Sequence, residues 1–262
     1  MLRSLLLELS AGMFGVLLAL PAYAQSAEDL NRLIEQANRG SNEARYSLGT
    51  LYKSGSGVTQ SYARANQYYE LAAKAGYAPA QNNLGWAYRE GLGVAKDPQR
   101  AIYWFRKSAL QGDALALQNL GEMYRDGDGV APDATAVTQL FLLCAAQALN
   151  QPKSESGFDN AVLECRRDLG RSELSQARGM EDYRRAAFYF QLALQPNRDY
   201  QRGSGTGYER AVKTMQDAKA LYDATYPRLD AQAAAWVRDM IANQNVALAE
   251  IRKHVERPAV LR

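Results

Sequence analysis

Between residues 44 and 149, apolar and polar positions recur with helical spacing, and the same pattern returns every 36 residues. The aligned stretches are ARYSLGTLYKSGSGV from Ala44, AQNNLGWAYREGLGV from Ala80 and ALQNLGEMYRDGDGV from Ala116. Alanine, leucine and tyrosine stand at i, i+4 and i+8 of each stretch, which predicts the buried stripe of an amphipathic helix. A fixed period of this length predicts a protein made of helical repeats.

A Gly-x-Gly-Val segment follows each of these helices, at residues 55–58, 91–94 and 127–130. The two glycines can supply the positive φ angles of a tight turn. Ser61, Asp97 and Asp133 share the next column, where they are predicted to cap the N-terminus of a second helix. Each first helix also contains a glycine, which costs about 1 kcal/mol relative to alanine and therefore predicts that a neighbouring helix approaches closely.

A fourth, degenerate repeat aligns with the third at an offset of 49 residues. Cys165 takes the place of Ala116, Leu169-Gly170 falls in the Leu-Gly columns, and Asp182 falls in the cap column. The extra residues belong to the polar segment 150–160, which predicts a surface loop. This repeat lacks the Gly-x-Gly turn, as expected of a terminal unit.

The combined pattern Ala-x3-Leu-Gly-x2-Tyr-x2-Gly-x-Gly-Val, followed by Asp and a second helix that ends in two small residues, resembles the Sel1-like repeats. These repeats are relatives of the tetratricopeptide repeats. The resemblance covers residues 44–195 and implies an all-α, right-handed α-solenoid of paired antiparallel helices. Its units are predicted at 44–79, 80–115, 116–149 and, in degenerate form, 161–195.

Helices are also predicted on both sides of the array. Residues 25–43 contain a lead-in helix, and residues 208–262 form a C-terminal helical hairpin that Pro227 interrupts. The hairpin helices are predicted at Tyr208–Thr225 and Leu229–Glu256. The buried stripe of the second one would contain Trp236, Met240 and Ile251.

The first 24 residues have the pattern of a cleaved signal peptide. Arg3 precedes an apolar core at 9–20, and Ala22-Tyr23-Ala24 forms a small-x-small cleavage site. We therefore expect cleavage after Ala24 and a periplasmic or secreted protein. The apolar core is short for a membrane span, which favours cleavage. The alternative is an uncleaved anchor, and the protein would then contact a membrane through this segment alone.

Composition and charge argue against catalysis and against nucleic-acid binding. The net charge is only +3, so bulk charge does not favour a nucleic-acid partner. The only histidine is His254, and no paired Cys-x-x-Cys motif occurs, so neither a metal site nor a histidine-dependent catalytic site is predicted. The sequence therefore predicts a protein that is not an enzyme and has no cofactor.

Two cysteines lie in neighbouring repeats. Cys144 is on the second helix of the third unit, in a column that relatives of this repeat turn towards the next unit, and Cys165 is on the first helix of that next unit. Stacking can bring them together, and an oxidising compartment would allow a disulfide. The alternative is that both replace small alanines in a packed core.

The resemblance also implies a binding face, because the first helices of related tetratricopeptide units line the concave side. Carried over column by column, the candidate contact residues are Tyr46, Lys53, Asn82, Asn83, Trp86, Arg89, Asn119, Glu122 and Arg125. Lys53, Arg89 and Arg125 form a column that is basic in all three units. The alternative is that these cations merely sit at solvated helix C-termini, where positive charge is favourable.

The resemblance implies an exported scaffold or adaptor that binds a protein or peptide partner on this concave face. The alternative is an envelope assembly factor that binds the cell wall or a polysaccharide, with Tyr46 and Trp86 stacking on sugar rings.

Overall fold

The computed structural model describes residues 27–147, 158–194, 206–242, 251 and 259–261. All regular secondary structure in these ranges is helical. The chain divides into two compact units, Met1–Lys96 and Asp97–Arg262. The signal-peptide pattern, His254, most of the 150–160 and 195–207 segments, and much of the last predicted helix beyond residue 242 lie outside the described residues.

The described part of the first unit contains helices α1 to α4. Their bounds are 27–38 for α1, Asn42–Ser54 for α2, Tyr62–Lys74 for α3 and Ala78–Glu90 for α4. Helix α3 packs against both α2 and α4. Helix α1 places Leu30, Leu33 and Ile34 against a core that includes Ala44 and Leu48, so the lead-in helix covers apolar surface of the first repeat.

The second unit begins with the remaining repeat helices. These are α5 (Pro98–Ala109), α6 (Ala114–Asp126), α7 (Ala134–Gln147), α8 (Phe158–Gln176) and α9 (Met180–Ala193). Along the chain from α5 to α9, each of these helices packs against the next.

Two further helices follow, α10 (Thr206–Thr225) and α11 (Ala231–Ala242), with the 3-10 turn Tyr226–Arg228 between them. Helix α10 packs against α8 and α9, and α11 packs against α9. The ring of Trp236 lies 5.5 Å from that of Phe188 and 4.2 Å from the guanidinium of Arg184, while Met240 and Ile251 are buried. The C-terminal helices therefore cover the last repeat.

The glycine inside the first helix of a repeat lies under an aromatic ring of the second helix. A Cβ atom built at Gly49, Gly121 or Gly170 would lie 2.5 Å from a ring carbon of Tyr69, Phe141 or Phe190 respectively. No side chain fits in that space. The predicted close approach is therefore observed, and the degenerate fourth repeat keeps it.

The Gly-x-Gly segments end the first helices as predicted. Gly55, Gly91 and Gly127 are left-handed C-caps with φ between 72° and 78°. The second glycine has a further role, because a Cβ at Gly93 would lie 2.4 Å from the backbone of Tyr62 in the preceding repeat. In the same turn, the side-chain amide of Asn66 donates to the carbonyl of Leu92 at 2.6 Å. The turns at Gly93 and Gly129 therefore pack against the second helix of the preceding repeat, at Tyr62 and Pro98 respectively, whereas Gly57 has no such neighbour.

The predicted cap residues Ser61, Asp97 and Asp133 each accept a hydrogen bond from the backbone N–H three residues later, at 3.0 to 3.3 Å. Asp182 differs from the prediction, because α9 begins at Met180 and Gly179 is its N-cap. Asp182 instead accepts from the backbone N–H groups of Arg178 and Gly179. The helix begins earlier because this carboxylate caps it from inside its first turn.

A disulfide joins Cys144 of α7 to Cys165 of α8, with a Cα–Cα distance of 6.2 Å. Both cysteines are completely buried. The bond therefore crosslinks the third and fourth repeats within the second unit.

Candidate functional site

In the first unit, the first helix of the first repeat presents Tyr46, Thr50 and Lys53 along one face, since they are spaced four and three residues apart. The Tyr46 ring lies 5.5 Å from the ring of Tyr77 and 5.9 Å from that of Tyr69. Three tyrosines therefore meet at the N-terminal end of this face.

The buried hydroxyl of Tyr69 connects this face to α4. It lies 3.3 Å from Thr50 Oγ1, and the side chain of Asn83 also hydrogen-bonds to it. Burial raises the pKa of Tyr69 to about 12, so the hydroxyl keeps its proton and its donor capacity at neutral pH. Tyr69 thus fixes the relative positions of Thr50 and Asn83.

Lys53 and Trp86 meet at the other end of the face. The Lys53 ammonium lies 4.9 Å from the centre of the Trp86 ring, a cation–π contact between α2 and α4. Burial lowers the pKa of Lys53. We call the set Tyr46, Thr50, Lys53, Tyr77 and Trp86 the aromatic surface; Thr50 is exposed and the other members are half-buried.

Tyr77 was missed by the sequence reasoning, although a signal for it exists. It occupies the same column as Ser41 and Asp113, whose side chains cap the N-termini of α2 and α6. Tyr77 makes no side-chain cap for α4, and its ring packs on Tyr46 instead. A residue that breaks a capping pattern marks a position where another requirement outweighs local helix stability.

The remaining candidates in the first unit are less accessible. Asn82 is 7% exposed, so it contributes to packing more than to a contact surface. The Arg89 side chain is 16% exposed and lies 3.8 Å from the carboxylate of Glu90. Neither residue belongs to the aromatic surface.

The candidates in the second unit form intramolecular polar contacts. Arg125 pairs with Asp126 at 2.8 Å and with Asp168 of α8 at 3.7 Å. Glu122 accepts a hydrogen bond at 3.2 Å from Gln118, whose amide also contacts the buried Glu164. Asn119 is half-buried beside them. In this unit, the predicted contact residues Glu122 and Arg125 bind other helix residues and thereby support the fold.

The described residues contain no group of three or more His, Cys, Asp or Glu side chains placed to hold a metal ion. In the same ranges, no helix has the length and apolar character needed to cross a membrane.

Paired helices that repeat at a fixed interval, with a glycine of one helix under a ring of the other, define a helical repeat protein of the all-α solenoid class. The particular family follows from its sequence: the Sel1 repeat family matches residues 42–77, 78–113, 114–136 and 168–195. The chain is therefore a Sel1-like repeat protein.

A solved structure of a Sel1 repeat protein agrees with this assignment. A Sel1 repeat protein from Oxalobacter formigenes is 26% identical with a TM-score of 0.56, and the match covers 82% of this chain and 78% of that one. A protective antigen of uropathogenic Escherichia coli that displays an SLR fold is 21% identical with a TM-score of 0.44, and the match covers 89% of this chain and 60% of that one. No curated protein matches the chain.

Sel1 repeat proteins typically act as non-catalytic scaffolds for protein interactions. This general role agrees with the fold, since stacked repeats offer extended surfaces for binding.

Proposed function

We propose that the protein is an exported adaptor that binds a protein or peptide partner on the aromatic surface of its first unit. The observation that carries the proposal is the cluster of half-buried aromatic rings beside the exposed Thr50 and the half-buried Lys53, on the first helices of two neighbouring repeats. Tyrosine and tryptophan are enriched among residues that dominate binding energy, because they offer large contact areas with little loss of conformational entropy.

The Tyr77 substitution in the capping column supports this location. Helix α4 lacks the side-chain cap that α2 and α6 have, and the absence of such a cap costs about 1 kcal/mol. The ring that takes its place extends the aromatic surface beside Tyr46. A residue that costs helix stability but enlarges a contact surface, as Tyr77 does, is typical of a functional site.

Two observations support export. The N-terminal 24 residues have a signal-peptide pattern, and the only two cysteines form a disulfide, which persists in oxidising compartments. Polysaccharide binding stays a prediction from the sequence, and no described contact favours it over a protein partner.

Site-specific photocrosslinking in intact cells tests the proposal. A photoreactive phenylalanine analogue at Thr50, which is exposed on the aromatic surface, should give a discrete crosslinked protein. The same analogue at Gln67, exposed on α3, is the matched control and should not give that product. Combining the Thr50 probe with Tyr46→Ala and Trp86→Ala should abolish the product.

The circular dichroism and thermal unfolding of the crosslinking variants establish that each one is folded. Equal products from the Thr50 and Gln67 probes, or a Thr50 product that survives loss of both rings, would contradict the proposed surface.

A further inference from the structure

The three cations of the basic column, Lys53, Arg89 and Arg125, differ in whether an acidic side chain lies beside them. Arg125 lies within ion-pair distance of Asp126 and Asp168, and Arg89 lies within ion-pair distance of Glu90. In both cases the residue that follows the arginine is acidic. The corresponding neighbour of Lys53 is Ser54, which carries no charge.

Lys53 therefore lacks the counter-charge that its column neighbours have. No carboxylate of the described residues forms an ion pair with its ammonium, and within those residues its side chain contacts the ring of Trp86. Burial is the sole cause of the lowered Lys53 pKa, with no opposing acidic neighbour. A half-buried cation of this kind is partly dehydrated, and that cost is recovered when an anion approaches.

We propose that Lys53 is the anion-binding position of the aromatic surface and that it receives a single carboxylate from an acidic residue in an extended segment of a protein partner. This inference rests on the proposed function and adds the chemistry of the ligand. Residues next to the bound carboxylate then contact the rings of Tyr46 and Tyr77 and the exposed residue Thr50.

The charge available at the site favours a side-chain carboxylate. One ammonium matches one negative charge, and the ring of Trp86 excludes water from one side, which strengthens the contact. Tight binding of a phosphate or an anionic membrane surface requires several cations or the paired N–H groups of an arginine. The next arginine in the column, Arg89, already contacts Glu90, so the site offers chiefly the single charge of Lys53.

The test compares two blocked peptide libraries, Ac-X-X-Glu-X-X-NH2 and its twin with Gln at the central position. Binding to the full chain is measured by competition against a fluorescent member of the Glu library. We expect the Glu library to bind about tenfold more tightly, as a charge-assisted hydrogen bond implies, and the preference to shrink at high salt.

Lys53→Met keeps a flexible apolar chain on the Trp86 ring and should remove the preference for Glu, whereas Lys53→Arg should keep it. Arg64→Met is the matched control, because Arg64 is also a cation over an aromatic ring, that of Tyr52, but is fully outside the aromatic surface. This variant should bind both libraries as the wild type does.

Equal binding of the two libraries, or a Glu preference that survives Lys53→Met, overturns the carboxylate inference. Absence of binding to either library overturns it as well, since the inference commits to a linear acidic segment. In each of these cases a ring-dependent crosslink at Thr50 would leave the proposed function intact, and loss of that crosslink would remove both.

Discussion

At the scale of single residues, the clearest conflict between charge and burial is at Asp113, the N-cap of α6. Its carboxylate accepts from the backbone N–H groups of Leu115 and Ala116 and from the hydroxyl of Ser108, at 2.8 to 3.2 Å. Burial nevertheless raises its pKa above the ordinary value of 3.8. The capping bonds therefore offset only part of the cost of dehydrating the charge.

Asp113→Ala should lower the free energy of unfolding by about 1–2 kcal/mol, because the backbone N–H groups and the Ser108 hydroxyl lose their acceptor. Asp113→Asn is the matched control, since an amide oxygen can still cap the helix and carries no charge to bury. Urea denaturation at neutral pH measures both variants. An alanine variant as stable as the asparagine variant would contradict the capping role.

The raised pKa of Asp113 also makes the free energy of unfolding depend on pH in a predictable direction. The folded state holds the Asp113 proton more tightly than the unfolded chain, so the resulting stabilisation is fully present below pH 3.8 and is lost as the pH rises through the higher folded pKa. Relative to Asp113→Asn, the wild type should therefore become more stable as the pH falls from 7 towards 4. A difference that is constant over this range would refute the raised pKa.

At the scale of helices, the disulfide is the contact whose removal is most easily measured. It closes a loop with a sequence separation of 21 residues, for which the chain-entropy relation gives about 3 kcal/mol. Cys144→Ala with Cys165→Ala should lower the free energy of unfolding by about this amount. Either single substitution should cost nearly as much, because one cysteine is enough to break the bond.

Because both cysteines are completely buried, a reductant should act on them only after unfolding. Thiol labelling of native protein incubated with dithiothreitol should thus be slow, and labelling in urea with dithiothreitol should be complete. Rapid reduction of the native protein would show that α7 and α8 separate readily.

Most of the helical architecture could be predicted from the sequence because it depends on local chemistry repeated at a fixed interval. Glycine in a helix predicted the close approach of a neighbouring helix, which the structure shows at Tyr69 and Phe141, and Ser61 and Asp97 marked helix starts. The candidate site was harder, because side-chain partners depend on which helices pack together. The ion pair between Arg125 and Asp168, for example, joins α6 to α8 and cannot be read from the repeat pattern.

At the scale of the whole molecule, the proposed export sets the compartment in which the protein would meet a partner. Protein isolated from the periplasmic fraction should begin at Gln25 and contain 238 residues, which is the full chain of 262 less the 24 of the signal segment. Intact-mass spectrometry checks this, and the mass should also show the two hydrogens lost on forming the disulfide.

Ala24→Leu is the informative variant, because it removes the small residue at the predicted cleavage site and should leave the apolar segment attached. A wild-type chain that starts at Met1 and accumulates in the cytosol with two free thiols would contradict both export and the disulfide.

The turn contact described for Gly93 makes the first two repeats depend on each other. The turn packs the Gly93 backbone on Tyr62, and its Leu92 carbonyl in return accepts the hydrogen bond of the buried Asn66 side-chain amide. Loss of the turn would leave that amide without an acceptor, and loss of the helix would leave the turn without its support. We therefore expect these two repeats to unfold together rather than one at a time.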